Sequence, residues 1–255
     1  MKVQISNGWF DPITAPEAVE LAAELVNSGK RGYLCTVNVA YLMTMRSNAR
    51  LQHFVDRASF VVADGQPLVW VSRLLSTPLP QRVTGVDLVE ALAERAERDG
   101  LGVYLLGARR ELVEAVARRL TDRWPGLKLC GFGDGYFSLA EAPQRARAIA
   151  QSGAKILLVG MGVPRQEHFL EDHWAELGVN FAMGVGGSFD VLAGLRARAP
   201  RVIQKIGLEW LFRLAQEPRR LWKRYLVTNS QFLYHVAREL LLRPDKRPAN
   251  PLAGR

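Results

Sequence analysis

The strongest constraint on this chain is the alternation of short apolar runs with amphipathic helical patterns along most of its length. Runs at Tyr33–Val39, Phe60–Ala63, Val103–Gly107, Leu127–Phe132, Ile156–Gly160 and Asn180–Gly184 are mostly apolar at consecutive positions, as strands buried on both sides of a parallel sheet must be. Helical patterns at Pro16–Asn27, Val86–Arg98, Glu111–Arg123, Ala140–Gln151 and Gln166–Leu177 fill the gaps. Strand, helix and strand in succession imply right-handed crossovers. The expected class is α/β: a Rossmann-like, mainly parallel sheet with helices on both faces. The 255 residues suffice for one such catalytic domain over 1–195 and a helical appendage over 196–242. The Pro- and Arg-rich tail over 243–255 is expected to be disordered.

Charge is distributed unevenly. Arg196 to Arg247 holds 13 Lys or Arg against 4 Asp or Glu, while the rest of the chain holds 21 of each sign. The whole excess of +9 therefore sits in the last fifth, which suits a surface that meets phosphates, whether of lipid or of nucleic acid. The start, MKVQISNGWFDP, lacks the basic and unbroken apolar pattern of a signal peptide, and no run of apolar residues is long enough to span a bilayer. Cys35 and Cys130 lie in apolar segments and are expected to be buried free thiols of a cytoplasmic protein.

Ligands of open parallel sheets bind beyond the carboxyl ends of the strands. Those ends read Asn38, Asp64-Gly65, Gly107, Gly133-Asp134-Gly135-Tyr136, Gly160-Met161-Gly162 and Gly184-Val185-Gly186-Gly187. Glycine there lets backbone N–H groups approach a phosphate, so the rim is expected to form a nucleotide or sugar-phosphate pocket. Asp64, after a buried strand, suits either a general base or the N-cap of a helix starting at Pro67. Thr36 and Asn38 share a strand face and serve either as strand-end caps or as substrate donors. Arg82 is either a surface cation or a diphosphate ligand. Arg213, Arg220 and Arg224 flank an apolar stripe of Leu221, Trp222, Tyr225, Leu226, Phe232, Leu233 and Val236. That combination suits an anionic membrane surface, or a helix pair packed on the core with a solvated basic face. If the segment folds over the rim, these arginines become substrate ligands.

Several chemistries lack their signatures. There is no P-loop, and Arg165 stands where a dinucleotide fingerprint starting at Gly160-Met161-Gly162 needs its third Gly. Pro164 suits the first turn of a helix. No Asp-x-Asp occurs, and His168 and His173 are spaced onto different helix faces, so no metal site and no cofactor are expected.

Taken in order, Thr36-Val37-Asn38, Ala63-Asp64-Gly65-Gln66-Pro67, Arg82-Val83-Thr84-Gly85-Val86-Asp87, Gly160 through Glu167, Gly186-Gly187-Ser188-Phe189-Asp190, Arg198-Ala199-Pro200, Gly207-Leu208-Glu209-Trp210 and Glu217-Pro218-Arg219-Arg220 resemble the WecG/TagA/CpsF family of glycosyltransferases. Arg165 stands where many relatives carry lysine. The resemblance spans roughly residues 10 to 240. It implies inverting, metal-independent transfer from a UDP-sugar to an undecaprenyl-diphosphate-linked sugar, at the inner face of the cell membrane. Relatives build teichoic-acid linkage units, enterobacterial common antigen and exopolysaccharide. It also implies that Asp64 is the general base and that Thr36, Asn38, Arg82 and Gln166 line the sugar and diphosphate site. Tyr136 and Asp190 would then hold the uridine, with Gly160, Gly162 and Gly186 shaping the pocket. A homo-oligomer is compatible with this reading. The competing reading is a basic nucleic-acid-binding α/β protein, which the Leu and Trp stripe beside the charges disfavours. A nicotinamide dehydrogenase is disfavoured by the broken fingerprint.

Overall fold

The computed structural model describes residues 1–242; the expected disorder of 243–255 lies outside the described residues. The chain opens with a small antiparallel hairpin, β1 (Val3–Ile5) and β2 (Gly8–Phe10). Then come α1 (Ala15–Asn27), β3 (Gly32–Val37), α2 (Val39–Ser47), α3 (Ala49–Asp56), β4 (Phe60–Ala63), α4 (Gln66–Leu74), α5 (Gly85–Asp99) and β5 (Val103–Gly107). They are followed by α6 (Arg110–Arg123), β6 (Leu129–Gly133), α7 (Ala142–Gln151), β7 (Ile156–Gly160), α8 (Arg165–His173), β8 (Phe181–Gly184) and α9 (Ser188–Leu192). The described part ends with α10 (Arg201–Lys205), α11 (Glu209–Gln216) and α12 (Pro218–Leu242).

Strands β3 to β8 form one parallel sheet in the order β4-β3-β8-β7-β5-β6. Each inner strand buries both faces. Along β7, Leu157 and Val159 enter one core cluster and Ile156 and Leu158 the other. This is why the strand sequences lack polar alternation: helices cover both faces. The first cluster takes in α2, α3 and α8 through Leu42, Phe54 and Leu170; the second takes in α1 and α5 through Ala22 and Val89.

Local chemistry sets the helix ends. Thr14 and Glu17 form a reciprocal capping box at α1, and the Thr84 hydroxyl accepts from the Asp87 N–H at α5. Asn38 ends β3 two residues earlier than its apolar run suggests. Its side-chain oxygen accepts from the Tyr41 N–H at 3.0 Å and starts α2 instead. Strand β6 begins at Leu129, later than expected, and lies at a sheet edge, which leaves Cys130 only half-buried; Cys35 is buried, and both are free. Pro164 is the N-cap of α8 rather than its first helical residue.

The basic segment after residue 195 packs on the domain. Helix α12 lies against α2 and buries Leu221, Phe232 and Val236. The rest of its apolar stripe is less covered: Tyr225 is half-buried, and Trp222, Leu226 and Leu233 are exposed. The Ser6 N–H donates to the Glu239 carboxylate at 3.1 Å, which joins α12 to the N-terminal hairpin. Among the described residues no helix is long and apolar enough to cross a membrane.

Candidate active site

Strands β3 and β8 are neighbours, yet the chain leaves β3 for β4 on one side and reaches β8 from β7 on the other. Both connections step toward the β4 edge, and the candidate crevice is the space beyond the carboxyl ends of β3, β8 and the neighbouring β4. Thr36 stands at its base, where its hydroxyl donates to the Gly184 carbonyl at 3.3 Å. Asn38 follows on the same rim, and Gly65 faces it across the gap to β4.

Asp64 leaves β4 at this crevice. Helix α4 begins at Gln66 with Gly65 as its N-cap and no side-chain capping bond, so Asp64 does not cap that helix. Instead its carboxyl accepts from the backbone N–H of Gly85, the first residue of α5. The surrounding protein desolvates the half-buried Asp64 and raises its pKa from an ordinary 3.8 to about 7. Arg213 and Arg82 oppose that rise, and Glu209 adds to it. A carboxylate poised near neutrality beside two cations can accept a proton from a hydroxyl.

Arg82 is not a surface cation: its side chain is 14% exposed and pairs with Glu209 of α11. Arg213, one turn further along α11, reaches back over the rim. One of its guanidinium nitrogens lies 3.4 Å from where a Cβ on Gly187 would stand. The C-terminal segment thus supplies charge directly to the crevice.

Gln166 is 2% exposed and ties two glycine loops together. Its side-chain oxygen accepts from the N–H groups of Gly162 and Gly186, each at 3.1 Å. These two N–H groups were expected to face a phosphate; the internal amide satisfies them instead. Both glycines have left-handed backbones, φ +79 and +49. Gly160 admits the Phe189 ring, which would lie 2.5 Å from any Cβ there.

Other expected residues sit further out. Asp190 pairs with Arg196 at 3.0 Å, Arg196 with Glu217 at 2.7 Å, and Glu217 with the exposed Arg220 at 2.9 Å. Arg224 is exposed on α12; its charge acts on Tyr225, whose phenol also senses Arg213 and Asp64. Tyr136 is 68% exposed, and its N–H donates to Asp134. The described conformation therefore brings together Thr36, Asn38, Asp64, Arg82, Gln166, Gly162, Gly186 and Arg213, and does not join Tyr136 to Asp190.

Sequence reasoning gave no role to Glu167, Glu209 or Arg196. Glu167 is 3% exposed, and burial raises its pKa to about 7, offset in part by the Gln166 amide. Its signal was available: Glu167 is three residues before Leu170, on the stripe that α8 buries.

The model of the glycosyl transferase WecG/TagA/CpsF family matches residues 3–246. The chain belongs to this family. As a WecG/TagA/CpsF-family glycosyltransferase it works on a sugar donor and an acceptor, and the match includes α10 to α12. The matched residues thus take in the helices that carry Glu209 and Arg213.

Proposed function

We propose that this glycosyltransferase performs inverting, metal-independent transfer of an N-acetylmannosamine-type or related hexose from a UDP-sugar to a polyprenyl-diphosphate-linked sugar. The observation that carries this reading is the Asp64 carboxyl, raised to about 7 and flanked by Arg82 and Arg213. An acceptor hydroxyl is a poor nucleophile until a base removes its proton. Asp64 takes that proton as the oxygen attacks the anomeric carbon, and the bond to UDP breaks on the opposite face of the sugar. Negative charge grows on the leaving diphosphate. Arg213 is the group best disposed to meet it, with Arg82 beside it once its Glu209 pairing adjusts. Thr36 and Asn38 line the sugar end, while Tyr136 and Asp190 serve the uridine after the loop carrying Tyr136 closes inward.

Helix α12 supports the acceptor side of the proposal. Trp222, Leu226, Leu233 and Tyr234 are exposed among Arg219, Arg220, Lys223 and Arg224. Aromatic and aliphatic groups interleaved with cations favour the interface of an anionic bilayer. The enzyme is then peripheral on the inner face of the cell membrane and works in surface polysaccharide synthesis, of teichoic-acid or exopolysaccharide type. The test is a donor screen: UDP-sugars with a synthetic polyprenyl-diphosphate-sugar acceptor, products weighed by mass spectrometry and the new linkage read by NMR. An acceptor heavier by one sugar with inverted anomeric configuration is the expected result. Retention of configuration, or transfer only from donors lacking UDP, overturns the proposal.

A further inference from the structure

Beneath the two glycine loops lies a buried polar cluster that the proposed chemistry does not use. Gln166 donates its amide N–H to the Glu167 carboxylate at 2.7 Å. The other Glu167 oxygen, and the hydroxyl of Tyr41 on α2, are buried without a hydrogen bond of good geometry. The two face each other closely enough for the phenol to lower the carboxyl pKa. Gly184 completes the seat: a Cβ there would fall 2.3 Å from the Gln166 amide nitrogen and 3.4 Å from the nearer Glu167 oxygen. Burial makes the Glu167 carboxyl costly to charge, and the contact it keeps is the one to the Gln166 amide.

A side-chain amide is nearly symmetric in shape, and only its partners decide which end faces where. The Glu167 oxygen that meets the amide accepts whether or not the other oxygen carries a proton, so it holds the NH2 end and leaves the oxygen end for the loops. Gly162 and Gly186 can only donate through their backbones, so the opposite orientation of Gln166 would set donor against donor. We propose that Glu167 is a positioning residue: it locks the Gln166 amide with its oxygen toward the loops, and thereby holds the loops after β7 and β8 at the spacing the donor diphosphate needs. This rests on the UDP-sugar reading for its kinetic consequence but not for its structural one. Tyr41 and Cys35 are the other titratable groups around the carboxylate.

The experiment is a double-mutant cycle of Glu167→Gln and Gln166→Ala in the full chain. Glutamine at 167 keeps the size but can both donate and accept, so it no longer dictates the orientation of its neighbour. Expected results are an about tenfold rise in donor KM for E167Q, little change in acceptor KM, and no further loss when E167Q is added to Q166A. Amide hydrogen exchange, read without any substrate, should show Gly162 and Gly186 losing protection in E167Q and in Q166A, with no additional loss in the double variant. A merely structural Glu167 would instead give additive losses, or unchanged loop protection, and either result overturns the proposal. Should the wild-type enzyme bind no UDP, the donor reading fails while the exchange measurement still decides the role of Glu167. If E167Q does not fold, Gly184→Ala displaces the amide from its seat and must expose the same two N–H groups; unchanged protection there overturns the proposal too.

Discussion

Replacing Asp64 by asparagine should make this enzyme more stable and nearly inactive at once. In the folded state burial raises the Asp64 pKa from 3.8 to about 7. At 1.36 kcal/mol per pKa unit this corresponds to an upper figure of about 4 kcal/mol for holding the carboxylate charged in the crevice. The residue is half-buried, and water at the rim screens part of the cost, which brings the expected gain for D64N to about 1–3 kcal/mol. The sign follows from proton binding. Between 3.8 and about 7 the native state holds this proton more tightly than the unfolded chain does, so wild-type stability falls as pH rises through that window. The D64N gain is therefore full at about pH 8, shrinks on acidification and is lost near pH 4. Glu167 titrates in the same range, but it is present in both proteins and largely cancels in the difference. The assay is urea denaturation of both proteins at several pH values, paired with transfer kinetics and UDP titration. Turnover should fall by about 10²–10⁴-fold, the usual contribution of a general base, while UDP still binds. A variant that keeps more than about a tenth of the rate refutes the catalytic role. A stability difference that does not change with pH refutes the electrostatic argument.

The wild-type kcat/KM should rise with pH through about 7 as Asp64 ionises, and this limb should be missing from the residual activity of D64N. On the proposed mechanism, in which arginines meet the leaving group, transfer should persist in excess EDTA; full loss restored by magnesium or manganese would reject that account. Arg213→Ala should cut turnover on a soluble short-chain acceptor, whereas Arg220→Ala should weaken vesicle flotation by about 1 kcal/mol and leave soluble turnover nearly intact; if neither variant loses soluble turnover, the segment only anchors. Gly107→Ala should destabilise the fold by about 2 kcal/mol or more. Its φ is +140 and the new Cβ would meet the backbone of Gly160 at 2.4 Å. A melting temperature equal to wild type contradicts this packing.

The sheet was legible because its inner strands bury both faces, so runs such as Ile156–Gly160 carry no competing polar pattern. The hairpin of Val3–Ile5 and Gly8–Phe10 was not, since three residues per strand give no usable period. Helix α2 was lost in the apolar run of β3, where only the Asn38 cap marks the change. At the site, sequence left Asp64 open between cap and base. The distinction depends on where the carboxyl points: Gly65 takes the cap position, and the carboxyl turns to Gly85 and the arginines. Arg82 likewise stayed open between surface cation and diphosphate ligand, because its partner, Glu209, comes from 127 residues away. Glu167 was passed over because a glutamate in a helical pattern is usually solvated, and only its spacing from Leu170 marked it as buried.

The strand order has a consequence for biosynthesis. Strand β8, residues 181–184, enters between β3 and β7. Before it is made, the sheet can exist only as two fragments, β4-β3 and β7-β5-β6, each with a naked inner edge. Open edges recruit other strands, so the emerging polypeptide must keep both unpaired until β8 itself has been synthesised. The bond from Thr36 to Gly184 forms only at that final insertion. A translation product that stops short of β8 would contain Thr36, Asp64 and Gln166 yet have no crevice, and its two exposed edges would make it a client for chaperones and proteases rather than a weaker enzyme.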